Sequence, residues 1–174
     1  MIRTAFQTAD FTAVPVDDSD THLVQPLLDR CEDYHQIAYG RPALPDQARS
    51  IPSERPPTLA PGQGHLFALR DAQGGLAGML EALRDFPAPG EWYIGLLLLA
   101  PEARGHGRGE AVLSAYADYV RANSGRLLRV AVVEHNDAGR RFWTRVGFQP
   151  EQWVGPIEQG LRMNRILKMT KALG

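Results

Sequence analysis

Apolar positions recur at two different periods along this chain, and the change of period marks its elements. Residues 20–39 carry Leu23, Val24, Leu27, Leu28, Cys31, Tyr34, His35 and Ala38 at helical spacing, closed by Gly40. Pro26 lies inside that stripe, where it either kinks the helix or marks its true start. Residues 2–16 alternate loosely and predict a short first strand. From Arg41 to Gly64 the pattern disappears, and six of the thirteen prolines fall there. That stretch predicts a long loop with one short helix near residues 46–49. Loops of such length inside a compact domain are mostly functional or disordered.

Three strands follow, His65–Arg70, Leu76–Arg84 and Trp92–Leu99, separated by the turn sequences 71–75 and 86–90. Short turns imply antiparallel neighbours. Trp92–Leu99 is apolar on both faces, so it belongs at the centre of a sheet. Residues 109–123 predict a helix that buries Val112, Leu113, Tyr116, Tyr119 and Val120, with Gly125 ending it. Leu127–Val133 reads as a buried strand. Asn136 or Asp137 caps a further helix bearing Ala138, Phe142 and Val146, which Gly147 ends. Phe148 opens another strand, and Arg162–Met169 alternates weakly as the last. The fold class is mixed α/β (α+β), with an antiparallel front and a strand–helix–strand unit behind it. At about 150 residues per domain, residues 1–174 make one domain.

Composition narrows the function. With 44% hydrophobic and 22% charged residues the chain is ordinary globular protein, which argues against disorder. Its longest apolar run, Ile94–Ala100, has seven residues, against about 20 for a membrane span. The N-terminus lacks the basic segment and apolar stretch of a secretion signal. Cys31 is the only cysteine, so an internal disulfide is excluded. Together these features predict a cytoplasmic protein that does not engage a membrane. A net charge of −1 argues against a nucleic-acid partner. The charge is uneven, however. Residues 104–145 hold eight arginines against four acids, a net of +4, which leaves −5 for the remainder. Local basicity in a near-neutral chain suits a small polyanionic ligand.

That ligand has an obvious receptor. A buried strand ending in Leu97-Leu98-Leu99 runs through Ala100-Pro101-Glu102-Ala103 into Arg104-Gly105-His106-Gly107-Arg108-Gly109, and an amphipathic helix leaves the turn. Such a turn points free backbone N–H groups at one spot, at the positive end of a helix dipole. Glycines let phosphate oxygens approach without meeting a Cβ. A Walker loop would need a lysine, and none is present here. The spacing G-x-G-x-x-G/A of a dinucleotide fingerprint fails at Glu110 or Val112.

Residues 104–109 match the Q/R-x-x-G-x-G/A signature of the GNAT superfamily of N-acyltransferases. Asn136-Asp137-Ala138-Gly139-Arg140-Arg141-Phe142-Trp143 through Gly147-Phe148 resembles that family's second block, N-x-x-A/G-x-x-F-Y-x-x-x-G-F. The resemblance covers roughly residues 92–150. It implies a mostly antiparallel central sheet, flanked by helices, whose fourth and fifth strands, here Trp92–Leu99 and Leu127–Val133, splay apart. It further implies that Arg104, Gly105, His106, Gly107, Arg108 and Gly109 hold the pyrophosphate of acetyl-CoA, the co-substrate. The pantetheine arm would pair with main-chain groups at Leu97, Leu98 and Leu99. A backbone N–H at Leu97 would stabilise the oxyanion, an effect that contributes about 3–4 kcal/mol where it operates. Asn136 would touch the arm. The acceptor would be a primary amine of a small molecule or peptide, attacking the thioester directly.

One position departs from the family pattern. Where a tyrosine often protonates the departing thiolate, this chain has Trp143, whose indole lacks the acidity. It packs against the cofactor or the core. Water or another group then protonates the thiolate, or CoA leaves as the anion. Tyr93 has the parity of Gly95, Leu97 and Leu99 and so is expected to share their face. It is a candidate acid–base or acceptor-site group. Glu81, an acid inside a buried strand, is a second, and His135, beside Asn136, a third. Cys31 belongs to the core. No two of the five histidines have metal-ligand spacing, so no metal is expected. Two rival readings remain. One is a non-catalytic acyl-CoA-binding sensor on the same fold. The other, disfavoured by the glycine spacing, is a nucleotide-binding oxidoreductase module. The alternating C-terminal strand could pair with a second copy.

Overall fold

One sheet contains eight strands: β1 (Phe6–Gln7), β2 (Thr12–Pro15), β3 (Gly64–Arg70), β4 (Leu76–Leu83), β5 (Glu91–Leu99), β6 (Leu127–Val133), β7 (Gln149–Gln159) and β8 (Arg162–Ala172). Their order across the sheet is β1-β2-β3-β4-β5-β6-β8-β7. This computed structural model describes residues 4–174, so residues 2 and 3 of the expected first strand lie outside the described residues. What remains of that strand is two short ones, β1 and β2, paired antiparallel.

All neighbouring strands run antiparallel except β5 and β6. The exception follows from the connection. A crossover helix, α4 (Arg108–Ala122), joins them, and a parallel pair needs such a crossover. Helices on the sheet's faces bury both sides of β5, which is why Trp92, Ile94 and Leu98 are all buried. α4 covers one face. Its Tyr116 and Tyr119 pack against Phe67 of β3, with ring centroids 6.3 and 5.7 Å apart, and against Trp92.

The helical stripe of residues 20–39 is broken into three pieces. A 3-10 turn spans Asp18–Val24, then α1 (Gln25–Arg30) begins with Pro26 in its first turn, and α2 (Glu32–Tyr39) follows. Proline is tolerated there because its missing N–H would be unpaired anyway. Pro26 therefore marks a true start. Cys31 breaks the run (φ −99°, ψ 46°) while staying fully buried. α2 ends at Gly40, whose φ of +68° closes the helix in the left-handed conformation that glycine adopts freely. The proline-rich stretch contains α3 (Gln47–Ser50) and a 3-10 turn at Ile51–Glu54, anchored by buried Ala48 and Ile51.

α5 (Asp137–Arg145) is capped by Asn136, whose side chain accepts from the Gly139 N–H at 2.9 Å. The last hairpin, β7–β8, is longer than the weak alternation suggested. β7 is a largely exposed edge strand with Pro150 and Pro156 beside its register shifts, and prolines are confined to such edges. Among the described residues, no helix is long and apolar enough to cross a membrane.

Candidate active site

The sheet opens beside the glycine-rich turn. β5 pairs with β6 only from Glu91↔Leu127 to Ile94↔Val130, whereas β6 continues along β8 to Val133. Gly95–Leu99 therefore leave β6 and form one wall of a gap. In an antiparallel pair, the N–H and C=O of one residue point the same way, and neighbours alternate. The Leu98 carbonyl faces β4, lying against Gly78. The main-chain groups of Leu97 and Leu99 consequently face the gap.

A cleft of about 350 Å³ fills this gap. Its floor is Leu97–Leu99, one end is the turn 104–110, and its sides come from Asp33, Tyr34 and Ile37 of α2 and from Asn136, Ala138, Phe142 and Arg145 at α5. Gly105 and Gly107 have φ of +87° and +71°, and a Cβ at either would meet nothing within 4 Å. The amides of Gly105, Gly107, Gly109 and Glu110 donate to no backbone carbonyl among the described residues; the first helical bond comes from Ala111 to Gly107. Unpaired amides at the start of a 15-residue helix, beside backbone kept bare by glycine, form a cradle that fits a pyrophosphate.

The two arginines of the turn are already engaged. Arg104 donates to both carboxylate oxygens of Asp33 (2.5 and 3.1 Å) and through Nε to the Leu99 carbonyl (3.0 Å). Its hydrogen bond holds the Asp33 carboxyl below the usual carboxylate range. Arg104 therefore staples α2 to the end of β5, and of the two gap-facing carbonyls that of Leu97 accepts from no side chain among the described residues. Arg108 lies 3.5 Å from Asp10. The side chains of His106 and Trp143 do not line the cleft. Trp143 is buried, edge-on to Phe148 at 5.1 Å and to Phe142 at 5.0 Å, so of its two expected placements the core is the one observed.

The structure corrects the expected face of Tyr93. Opposite the step from Glu81 to Ala82, β5 contributes an extra residue, because Glu81 pairs with Leu96 while Ala82 pairs with Ile94. Gly95 is that extra residue, and a β-bulge inverts the alternation beyond it. Tyr93 thus shares a face with Glu81, Leu96 and Leu98 rather than with Leu97 and Leu99. It packs on Phe86 at 6.3 Å and lines neither the cleft nor the small pocket around Glu81. His135 is half-exposed, 3.9 Å from Glu134, and is likewise not brought to the cleft.

Glu81 stands opposite the bulge. A Cβ on Gly95 would lie 3.4 Å from its Oε2. It lines a small, partly open pocket of about 70 Å³ shared with Tyr34, His35, Tyr39, Glu54 and Leu96. Burial pushes the Glu81 carboxyl up to about 7, against the pull of Arg55. Arg55 comes from the proline-rich segment and pairs with Asp18 (2.9 Å). Its Nε is 3.8 Å from Glu81, too long for a hydrogen bond, and is buried without a partner. Asp33, Tyr34 and Arg55 escaped the sequence reading. Tyr34 and Asp33 sit on a helix some 70 residues before the turn they meet, and Arg55 in a stretch without periodicity.

Comparison with known proteins supplies the family. The profile of the Acetyltransferase (GNAT) family matches residues 22–148. The chain belongs to the GNAT acetyltransferase family. No curated protein matches it in sequence. Among solved structures, this GNAT acetyltransferase is similar to an acetyltransferase from Thermus thermophilus, at 20% identity over 95% of this chain and 98% of that one, with a TM-score of 0.73. It is also similar to spermidine N-acetyltransferase from Vibrio cholerae in complex with CoA and spermine, at 16% identity over 95% and 96%, with a TM-score of 0.72. At these identities the likeness is one of fold. GNAT enzymes use acetyl-CoA, and the open, glycine-lined turn of this one fits its diphosphate.

Proposed function

We propose that this GNAT acetyltransferase moves the acetyl group of acetyl-CoA to a primary amine of a small molecule or peptide by direct attack. The observation that carries the reading is Glu81, a partly buried carboxyl opposite the Gly95 bulge, raised to about 7. A base poised near neutrality can take the proton an attacking amine must lose. The cavity it lines is large enough for water to relay that proton. In this reading the turn 104–109 holds the diphosphate through its amides, the Leu97 N–H faces the developing oxyanion, and the segment 41–64, through Arg55, walls the acceptor side. Asn136 helps to orient the arm, although its Oδ1 is committed to capping α5.

Thiol release from acetyl-CoA, measured across an amine panel, tests this. The panel includes spermidine, because a structural neighbour is named for it, together with a peptide bearing a free N-terminus and simple aliphatic diamines. At least one amine should accelerate CoA release, and Glu81→Gln should remove the acceleration while calorimetry shows CoA binding intact. Binding of acetyl-CoA with no acceleration by any amine would instead identify an acyl-CoA sensor.

A further inference from the structure

Acetyl transfer, on the reading above, needs a proton for the sulfur that leaves, and Trp143 is withdrawn into the core where it supplies none. The cleft wall itself carries one hydroxyl among the described residues, that of Tyr34. The same side chain lines the small pocket that holds Glu81. Tyr34 thus stands where the two spaces meet, between the strand expected to carry the thioester and the carboxyl expected to take the amine's proton. Its ring is fixed edge-on by His35 at 5.4 Å and by Tyr39 at 6.4 Å. Burial foremost, then the charges of Tyr39 and Glu81, raise its phenol, and no hydrogen bond is among the influences on it. The hydroxyl therefore stays protonated. Three polar neighbours on the wall are committed elsewhere: Asp33 to Arg104, Arg108 to Asp10, and Asn136 to Gly139.

We propose that Tyr34 is the acid of this reaction, giving its proton to the sulfur as the C–S bond breaks and recovering one from Glu81 through the cavity the two residues share. The balance closes. The amine lone pair forms the C–N bond, and the tetrahedral intermediate collapses with the C–S pair going to sulfur. Sulfur takes the Tyr34 proton. The nitrogen loses its extra proton to the Glu81 carboxylate, which passes it to the tyrosinate. Thioester and amine become amide and thiol, with both residues restored.

The proposal rests on the acetyl-transfer reading, and CoA itself separates the two without a known acceptor. The thiol of bound CoA is titrated through the ultraviolet absorbance of its thiolate, in the wild-type protein and in Tyr34→Phe, with affinity measured by calorimetry. A hydroxyl aimed at the sulfur stabilises the thiolate. The bound thiol should therefore ionise below the ordinary thiol value of about 8.5 in the wild type and about tenfold less readily in the variant, with CoA affinity within threefold. With an active acceptor, kcat of the variant should fall about 10²-fold and lose its solvent deuterium isotope effect, while KM for acetyl-CoA holds. A fluorinated tyrosine at position 34 keeps the ring and its packing, and should lower the bound thiol's pKa further as the phenol becomes more acidic. Should CoA fail to bind the wild-type protein, the acetyl-transfer reading falls and takes this one with it. Should CoA bind and its thiol ionise alike in all three proteins, the Tyr34 assignment alone is overturned.

Discussion

A carboxyl inside a sheet titrates wherever its surroundings set it, and Glu81 shows the competition residue by residue. Burial raises it, Arg55 lowers it, and Glu54 and Asp18 raise it again, with about 7 as the outcome. Tyr34, His35 and Tyr39 complete the cavity around it. A base must be ionised to act, so kcat/KM should rise with pH through about 7 and level off above it. Glu81→Gln should lower kcat by about 10²-fold or more and abolish that rising limb, measured as a pH–rate profile. Arg55→Met removes the one group that favours the charged form. The limb should then move to higher pH, and an unmoved or lowered limb would show that Arg55 does not face the working base. Sequence alone pointed to Glu81, since an acid within an apolar strand stands out. Arg55 and Tyr34 did not stand out, because an arginine in a proline-rich loop and a tyrosine on a helical stripe both fit ordinary roles.

At the scale of elements, the turn leading into α4 was legible to within one residue. Its glycines, its lead-in and the helix after it are local features, and local sequence sets local backbone. Gly107 tests the element. A Cβ there meets nothing within 4 Å, so the cost of Gly107→Val lies in forcing a branched residue to φ +71°, on the order of 1–3 kcal/mol. The side chain would project where the diphosphate is expected. CoA affinity by calorimetry should fall at least tenfold while the cooperative unfolding transition survives. β5 teaches the opposite lesson. Counting alternate residues placed Tyr93 with Leu97, and the bulge at Gly95 undid the count. A bulge is a mismatch in length between two paired strands, so no single strand announces it. The break at Cys31 is similar, since the stripe on either side keeps one helical phase.

Over the whole molecule, the second motif block divides its labour between cleft and core. Phe142 lines the cleft and supports the turn, its ring 3.3 Å from where a Cβ on Gly109 would sit, while Trp143 locks α5 onto Phe148. Trp143→Tyr restores the residue usual in the family, yet the ring would enter the core. The expected result is no gain in kcat and a loss of about 1–3 kcal/mol from a hydroxyl buried without a partner, read by denaturant unfolding. A substantial rise in activity would mean that this side chain reaches the cleft after all. Arg104 works at the same scale. It joins α2, from the first quarter of the chain, to the strand and turn that carry the motif. Both members of its pair with Asp33 are partly exposed, so the contact orients the wall more than it stabilises the fold.

The sequence by itself determined the two later helices, the strand meander, the glycine-rich turn and the family, because each of these is written in neighbouring residues through period, capping and glycine placement. Tertiary structure alone decided which side chains share the cleft with that turn. Asp33 and Tyr34 of α2 line it, Tyr34 also borders the small pocket of Glu81, and Arg55 approaches Glu81 from a third segment; their meeting depends on strand register, on one extra residue in β5 and on a helix that restarts at Glu32. Those are properties of packed surfaces, and they exist only once the surfaces are in contact.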